Sequence, residues 1–332
     1  MNSDKIIRWG VIGTGKIARQ FAQELVGAKQ GELNGVASRS SSNAKAFAAE
    51  FPNCKAYDTN ESICRSPDID VVYVATPTQC HREHCEFALN NGKHVLCEKP
   101  FTRNSNELQQ IIKLAAEQNR FCMEAMWMRF NPVIQKAKKW IDEDPIGDPV
   151  SINIQVGYQK PESENCHPNE GRGAMLAFGC YGLSLALMLL GKPKSAQSSV
   201  VRNQHGSDQT VCCVLDYENS LVSLTASTAS ELSNEVRING TTGSILIQSP
   251  FIDATSIYCT NIPRQRSLLQ KIGNRIAGPH VPRMDECQSG IGFQNEAIEV
   301  MRCLQTNQTE SEMMPLSDSL EVHRLIEQIL AK

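Results

Sequence analysis

Ile6-Ile7-Arg8-Trp9-Gly10-Val11-Ile12-Gly13-Thr14-Gly15-Lys16-Ile17-Ala18 decides the reading of this chain. An apolar strand, Ile6 to Ile12, runs into a glycine turn, and a helix follows over Lys16 to Ala28 with Ile17, Phe21 and Leu25 at i, i+4 and i+8. The spacing is G-x-G-x-x-A. Gly13 permits the tight turn, Gly15 lets the backbone approach a pyrophosphate, and Ala18 allows close packing of helix on strand. The helix N-terminus then favours the anion. Thr14, Lys16 and Ile17 complete the turn. Together these residues predict a dinucleotide cradle in a Rossmann-type α/β fold.

Outward from that turn the same rhythm continues. Leu33 to Ser38 reads as a second strand and Asn43 to Glu50 as an Ala-rich helix. Asp70 to Ala75 is a continuous apolar run, suited to a strand buried on both faces. His81 to Asn91 is a helix stopped by Gly92, His94 to Cys97 a strand, Asn104 to Asn119 a helix with a capping-box spacing of Asn104 and Glu107, and Phe121 to Ala125 a last strand. Strand and helix in alternation imply a parallel sheet with crossover helices. An acidic residue at the end of the second strand would suit NAD by binding its ribose hydroxyls. Here stand Ser38, Arg39 and Ser40. A guanidinium fork fits a 2′-phosphate, so NADP is expected over NAD.

The pattern changes after Trp127. Asn131-Pro132 opens an amphipathic helix with Val133, Ala137, Trp140 and Ile141 inward. Alternating strands follow near 151–158, 195–201, 210–217, 221–226, 235–238 and 244–247, interrupted by an apolar helix from Ala174 to Leu190. Helices over Phe293 to Leu304 and Ser319 to Leu330 close the chain. The division expected is residues 1–124 for the nucleotide-binding domain and 125–332 for an α+β domain on a large, mostly antiparallel open sheet. That second domain is expected to bind substrate and mediate oligomerisation.

Composition narrows the class. Of 332 residues, 41% are hydrophobic and 21% charged, with a net charge of -3, so no basic surface for nucleic acid or anionic membrane is expected. The apolar run at Ala174 is broken by Gly179, Gly182 and Ser184 and falls short of a membrane helix. No signal-like segment precedes the first strand, so a reducing cytoplasmic setting is expected for the 13 cysteines, which lack zinc-site spacing. In that setting the sequons at Asn60, Asn239 and Asn307 carry little meaning.

Ala75-Thr76-Pro77 and Cys97-Glu98-Lys99-Pro100 both follow strands of the parallel sheet, on the edge where ligands bind. Lys99 there is suited to acid–base work if the site lowers its pKa, although a surface lysine after a strand reads the same way. With the glycine turn, these motifs resemble the glucose–fructose oxidoreductase / inositol dehydrogenase / rhizopine catabolism (Gfo/Idh/MocA) family over almost the whole chain. Residues Glu124 to Phe130, Gly171 to Tyr181, Gly292 to Glu296 and Met314 to Leu316 resemble its dihydrodiol dehydrogenase branch.

The resemblance implies an NADP(H)-dependent oxidoreductase acting on a sugar, polyol or trans-dihydrodiol, with Lys99 as general acid–base. It implies for Tyr181 a second proton-handling or substrate-orienting role. It also implies a homodimer or higher homo-oligomer. His81 matches a position where the family often has histidine, and is read as helix-capping or at the cofactor edge. Trp127 and Arg129 match the domain junction and are expected near the cofactor. His167 lies in a polar loop and could reach substrate. The chain departs from the family at Ala177, where most members carry an aspartate four residues before the tyrosine. That departure keeps open a cofactor-binding sensor with weak or no catalysis. An oxidoreductase that retains its cofactor between two sugars is a further alternative.

Overall fold

The computed structural model describes residues 6–143, 145–161, 173–261, 283–286 and 292–331, with only the backbone for 283–286. His167 and most of the loops around it lie outside the described residues.

The chain forms two compact units. The first holds the described residues to 130 together with 292–327; the second holds 131–161, 173–261, 283–286 and the last few residues. In the first unit, strands β1 (Ile7–Ile12), β2 (Gly31–Ala37), β3 (Lys55–Tyr57), β4 (Val71–Val74), β5 (His94–Glu98) and β6 (Cys122–Ala125) form one sheet in the order β3-β2-β1-β4-β5-β6. Every pair is parallel. Helices α1 (Lys16–Leu25), α2 (Ser41–Ala48), α3 (Asn60–Arg65), α4 (His81–Asn90) and α5 (Ser105–Glu117) make the crossovers. β3 and α3 occupy a stretch with no clear apolar period; α3 is held by a capping box of Thr59 and Ser62.

Two expectations for helices change. The buried stripe of α1 is Ala18, Phe21, Ala22 and Leu25, while Ile17 is 41% exposed. Asn104 caps α5 by accepting from the Glu107 N–H at 2.9 Å, but the Glu107 carboxylate turns back to the Arg103 N–H rather than to Asn104.

The second unit opens with α6 (Pro132–Asp142), whose Asn131 cap accepts from Val133 N–H at 2.8 Å. Strands β7 (Pro149–Gly157), β8 (Ser195–Arg202), β9 (Asp208–Asp216), β10 (Leu221–Ser227), β11 (Val236–Gly240), β12 (Gly243–Ile247), β13 (Ser256–Asn261) and β14 (Arg283–Glu286) form an eight-stranded sheet, ordered β14-β13-β12-β11-β7-β10-β9-β8. All pairs are antiparallel except β7 with β10. One face buries Ile152, Ile154, Val156, Val222, Leu224 and Ala226. A helical segment covers it: a wide π-turn, Met175–Gly179, followed by α7 (Cys180–Leu190). The plain helix expected from Ala174 is thus widened at its first turn.

α8 (Gly292–Gln305) and α9 (Leu316–Leu330) close the chain. The division at 124/125 assigns them to the second domain. In the structure α8 and nearly all of α9 belong to the first unit. Packing explains the difference. Gln294 N–H donates to Glu24 at the end of α1, and His323 of α9 bonds Thr102 beside β5. Leu316 joins the core formed by α4, α5 and the sheet.

Candidate active site

The parallel register brings the sequence motifs to one edge. Ile12 pairs with Ala37 and with Val74, and Val74 pairs with Cys97. The residues just past these strands therefore form a row: Gly13-Thr14-Gly15, Ser38-Arg39, Ala75-Thr76-Pro77 and Lys99. The strands run outward from β1 to β3 on one side and from β4 to β6 on the other, so the strand order switches sense between β1 and β4, the place where open α/β sheets bind ligands.

At the centre Gly13 has φ +115°, and a Cβ there would lie 2.4 Å from the Ala75 carbonyl oxygen. Only glycine fits both the dihedral and the contact. A Cβ on Gly15 would meet nothing within 4 Å, and no side chain caps α1. Space and unclaimed helix N–H groups together are what a pyrophosphate requires. Lys16 and Ile17 are exposed around that space, and Ala18 is fully buried beneath it. On the β2 side, Thr14 Oγ1 lies 3.5 Å from Ser38 Oγ. Ser40 caps α2 through Asn43 N–H, while Arg39 is exposed. The open space at Gly15 and the uncapped start of α1 fit a dinucleotide.

Sequence reasoning missed His84. Asn60 Nδ2 donates to its Nε2 at 2.9 Å, so the neutral ring carries its proton on Nδ1, 3.0 Å from Thr76 Oγ1. Burial, with the positive charge of Arg39 adding to it, lowers the His84 pKa. His84 therefore ties α3 to the Thr76 turn. Its polarity on a half-buried helix face was the available signal.

His81 is the first residue of α4 and ends the short 3-10 turn Thr78–Cys80. Cys80 occupies the cap position, and His81 is 1% exposed. Its Nε2 is 2.6 Å from the Thr76 carbonyl, and its Nδ1 is 3.1 Å and 3.2 Å from the carbonyls of Pro100 and Phe101. The ring straps the loop after β4 to the loop after β5, the two that carry Thr76 and Lys99. Burial pushes its pKa down and the three carbonyls act against that.

Lys99 follows β5 and precedes a cis proline. Its N–H donates to Glu98 Oε2 at 3.1 Å. Tyr73 OH donates to Glu98 Oε1 at 2.5 Å, and the Tyr73 ring stacks on Phe21. Burial raises the Glu98 pKa to about 7, against the lowering effects of Tyr73 and Lys99. Glu296 of α8 is fully buried, neither of its carboxylate oxygens has a hydrogen-bond partner, and burial, with Glu98 and Glu24 adding to it, drives its pKa well above the usual range. Glu124 joins them, its Oε1 accepting from Phe101 N–H. Glu98, next to Lys99 in the chain, and Glu296 are buried carboxyls, and the charge of Glu98 opposes ionisation of Glu296. The sequence displayed Glu98, Glu124 and Glu296 but not their convergence.

The residues after β6 divide. Trp127 stacks on Phe293 at 5.4 Å between ring centroids. Arg129, expected near the cofactor, is 1% exposed, paired with Asp318 at 2.7 Å and bonded to the Met313 carbonyl. Its role there is to fasten α9 to the first unit, because a buried guanidinium needs a carboxylate partner.

In the second unit Tyr181 is 4% exposed, in the first turn of α7. Ala177 is half-buried in the π-turn before it. A turn of this kind often marks a functional segment. The start of this segment is held by Asp208, whose Oδ2 accepts from Met175 N–H at 2.7 Å. Tyr158 packs on Phe178 at 5.3 Å, with the Lys160 ammonium over the Phe178 ring. Neither Asp208 nor the Tyr158–Phe178 pair was legible in the linear pattern.

The strand order and the glycine turn define a nucleotide-binding protein of the Rossmann class. Residues 7–126 match the family described as "Oxidoreductase family, NAD-binding Rossmann fold", and residues 134–246 match the "GFO/IDH/MocA C-terminal domain". Trans-1,2-dihydrobenzene-1,2-diol dehydrogenase of Xenopus tropicalis is 31% identical over 329 residues, 97% of each chain. The human enzyme of that name is 29% identical over 97% of this chain and 96% of its own. In structure, a 3-ketoreductase from Actinomadura kijaniata solved with NADP and TDP-benzene superposes with a TM-score of 0.83 at 21% identity, covering 98% of both chains. An aldose-aldose oxidoreductase from Caulobacter crescentus, solved with glycerol, reaches 0.85 at 20% identity over 98% of this chain and 97% of its own. The chain belongs to the GFO/IDH/MocA family and is an NAD(P)-binding oxidoreductase.

Proposed function

We propose that the protein is an NADP(H)-dependent oxidoreductase for a carbinol or carbonyl carbon of a sugar, polyol or trans-dihydrodiol. The observation that carries this reading is Lys99, one residue past β5 in the same row as Gly13, Gly15 and Thr76. Gly13, Thr14, Gly15, Lys16, Ile17 and Ala18 would hold the pyrophosphate and the adjoining ribose. Ser38 and Arg39 would take the 2′-phosphate, with Ala75, Thr76, Pro77, Glu98 and Trp127 along the remaining length and His81 shaping the loops. Bound there, the dinucleotide supplies a hydride acceptor or donor at nicotinamide C4.

Lys99 handles the proton. In oxidation the substrate hydroxyl loses its proton to the neutral amine as hydride leaves the carbinol carbon; in reduction the ammonium returns it. Glu98 and Glu296 set the charge behind that amine. Tyr181 is proposed as the second proton-handling or orienting group. The names of the relatives and of the aldose-aldose oxidoreductase support the substrate class.

NADP+ reduction against sugars, polyols and trans-dihydrodiols tests the reading. Lys99→Met is expected to keep NADP+ binding while losing about 10²–10⁴-fold in kcat. Full turnover in that variant would remove the role. Cofactor binding with no turnover across the panel would favour the sensor, in keeping with Ala177.

A further inference from the structure

The opposite end of the parallel sheet holds a cavity of about 510 Å³. It is lined by Arg8 of β1, Asp70 before β4, Lys93 and His94 at β5, Arg120 before β6 and Gln305 at the end of α8. The six residues of β1 separate it from the glycine turn by about 20 Å. Its volume is that of a small-ligand pocket.

Its charge is unbalanced. Arg8 takes both oxygens of Asp70, at 2.9 Å and 2.8 Å, and the Arg8 N–H donates to the same carboxylate. Asp68 acts on Arg8 as well, but is exposed and outside the lining. Lys93 is buried and donates to the carbonyls of Ser66 and Ile69, which satisfy hydrogen bonds without cancelling charge. Three cations face one lining carboxylate.

Two donors there have nothing to bond. The Arg120 Nε and the Gln305 Nε2 are both buried atoms without a hydrogen-bond partner. A buried unpaired donor costs about 1–3 kcal/mol. Both residues line the cavity, and a turn of either side chain toward it would give its donor an acceptor held there. His94 Nδ1 accepts from Phe121 N–H at the same edge.

The geometry points to a binding site for a phosphomonoester dianion at this edge, distinct from the nucleotide site. Arg120 and Gln305 contact the phosphate oxygens, Lys93 supplies charge beside them, and the remaining volume takes a small organic body. Nothing in this assignment depends on the oxidoreductase chemistry at the other edge.

Isothermal titration of the full-length protein, saturated with NADP+ at pH 8 and constant ionic strength, tests it. The probes are inorganic phosphate and glucose 6-phosphate, with potassium chloride as control. Saturable binding of both is expected, tighter for the sugar phosphate. Arg120→Gln is expected to weaken both by about tenfold to a hundredfold, leaving NADP+ affinity unchanged. Gln305→Leu removes the second donor without touching charge and is expected to weaken both by a smaller factor. It carries the test if Arg120→Gln fails to fold. Absence of saturable binding, an equal response to chloride, or binding undiminished in the folded variants would overturn the site.

Discussion

At the scale of single residues, Arg39 and Glu98 carry the sharpest expectations. Arg39→Ser is expected to weaken NADP+ binding by about tenfold or more, the worth of a charge-assisted hydrogen bond, while leaving NAD+ binding nearly unchanged. Fluorescence titration with both dinucleotides checks this. Glu98 has a folded pKa of about 7, above the ordinary 4.5. Between those values the folded protein holds more protons than the unfolded chain, so its contribution is full below about pH 4.5 and fades as pH rises through 7. The loss is on the order of 3 kcal/mol. Glu98→Gln keeps an acceptor for Tyr73 OH and is expected to flatten the fall in Tm between pH 5 and pH 8. Glu296 contributes a residual slope of the same sign. The motif residues were legible one by one, because turn geometry and strand ends constrain local residue types. His84 and Glu296 were not, because their partners lie far along the chain.

At the scale of elements, the start of the glycine-rich segment shows what periodicity leaves out. A Cβ on Gly173 would lie 1.6 Å from Asp208 Oδ1, the carboxylate that accepts from Met175 N–H. Gly173→Ala is expected to cost about 1–3 kcal/mol by overpacking. Asp208→Ala is expected to cost a similar amount by leaving that N–H unpaired. The double variant should cost no more than Asp208→Ala alone, because the clash is gone; urea unfolding of the three proteins reads the coupling. The helix itself was evident from its apolar run. The π-turn was not, since composition over five residues does not distinguish a wide turn from a regular one. In α1 the periodicity misled. Ile17 keeps register with Phe21 and Leu25, yet it faces out at the glycine turn, where a bound dinucleotide would cover it.

At the scale of the molecule, the large sheet has one covered face and one open face. Val214 and Leu221 are exposed on the open side, among polar neighbours such as Gln197 and Arg237. We expect this face to pair two copies. Light scattering after gel filtration should report a dimer for the wild-type protein, and Val214→Lys with Leu221→Lys should shift it toward monomer. A monomeric wild-type protein would remove the expectation. No helix among the described residues is long and apolar enough to cross a membrane.

The sequence alone determined the parallel Rossmann sheet, the glycine turn at its switch point and the placing of Lys99 on the ligand edge. Each follows from local rules: strand and helix periods, a glycine dihedral, and the direction of parallel strands. Tertiary structure alone decided that α8 and α9 belong with the first unit and that Arg129 fastens α9. It also decided that His81 straps two loops, that Glu98 and Glu296 are buried within reach of each other's charge, and that two residues with unpaired donors line a cationic cavity at the far edge. Those features depend on contacts between residues up to hundreds of positions apart. Their energies come from burial and from the pairing of charge, which no local pattern records.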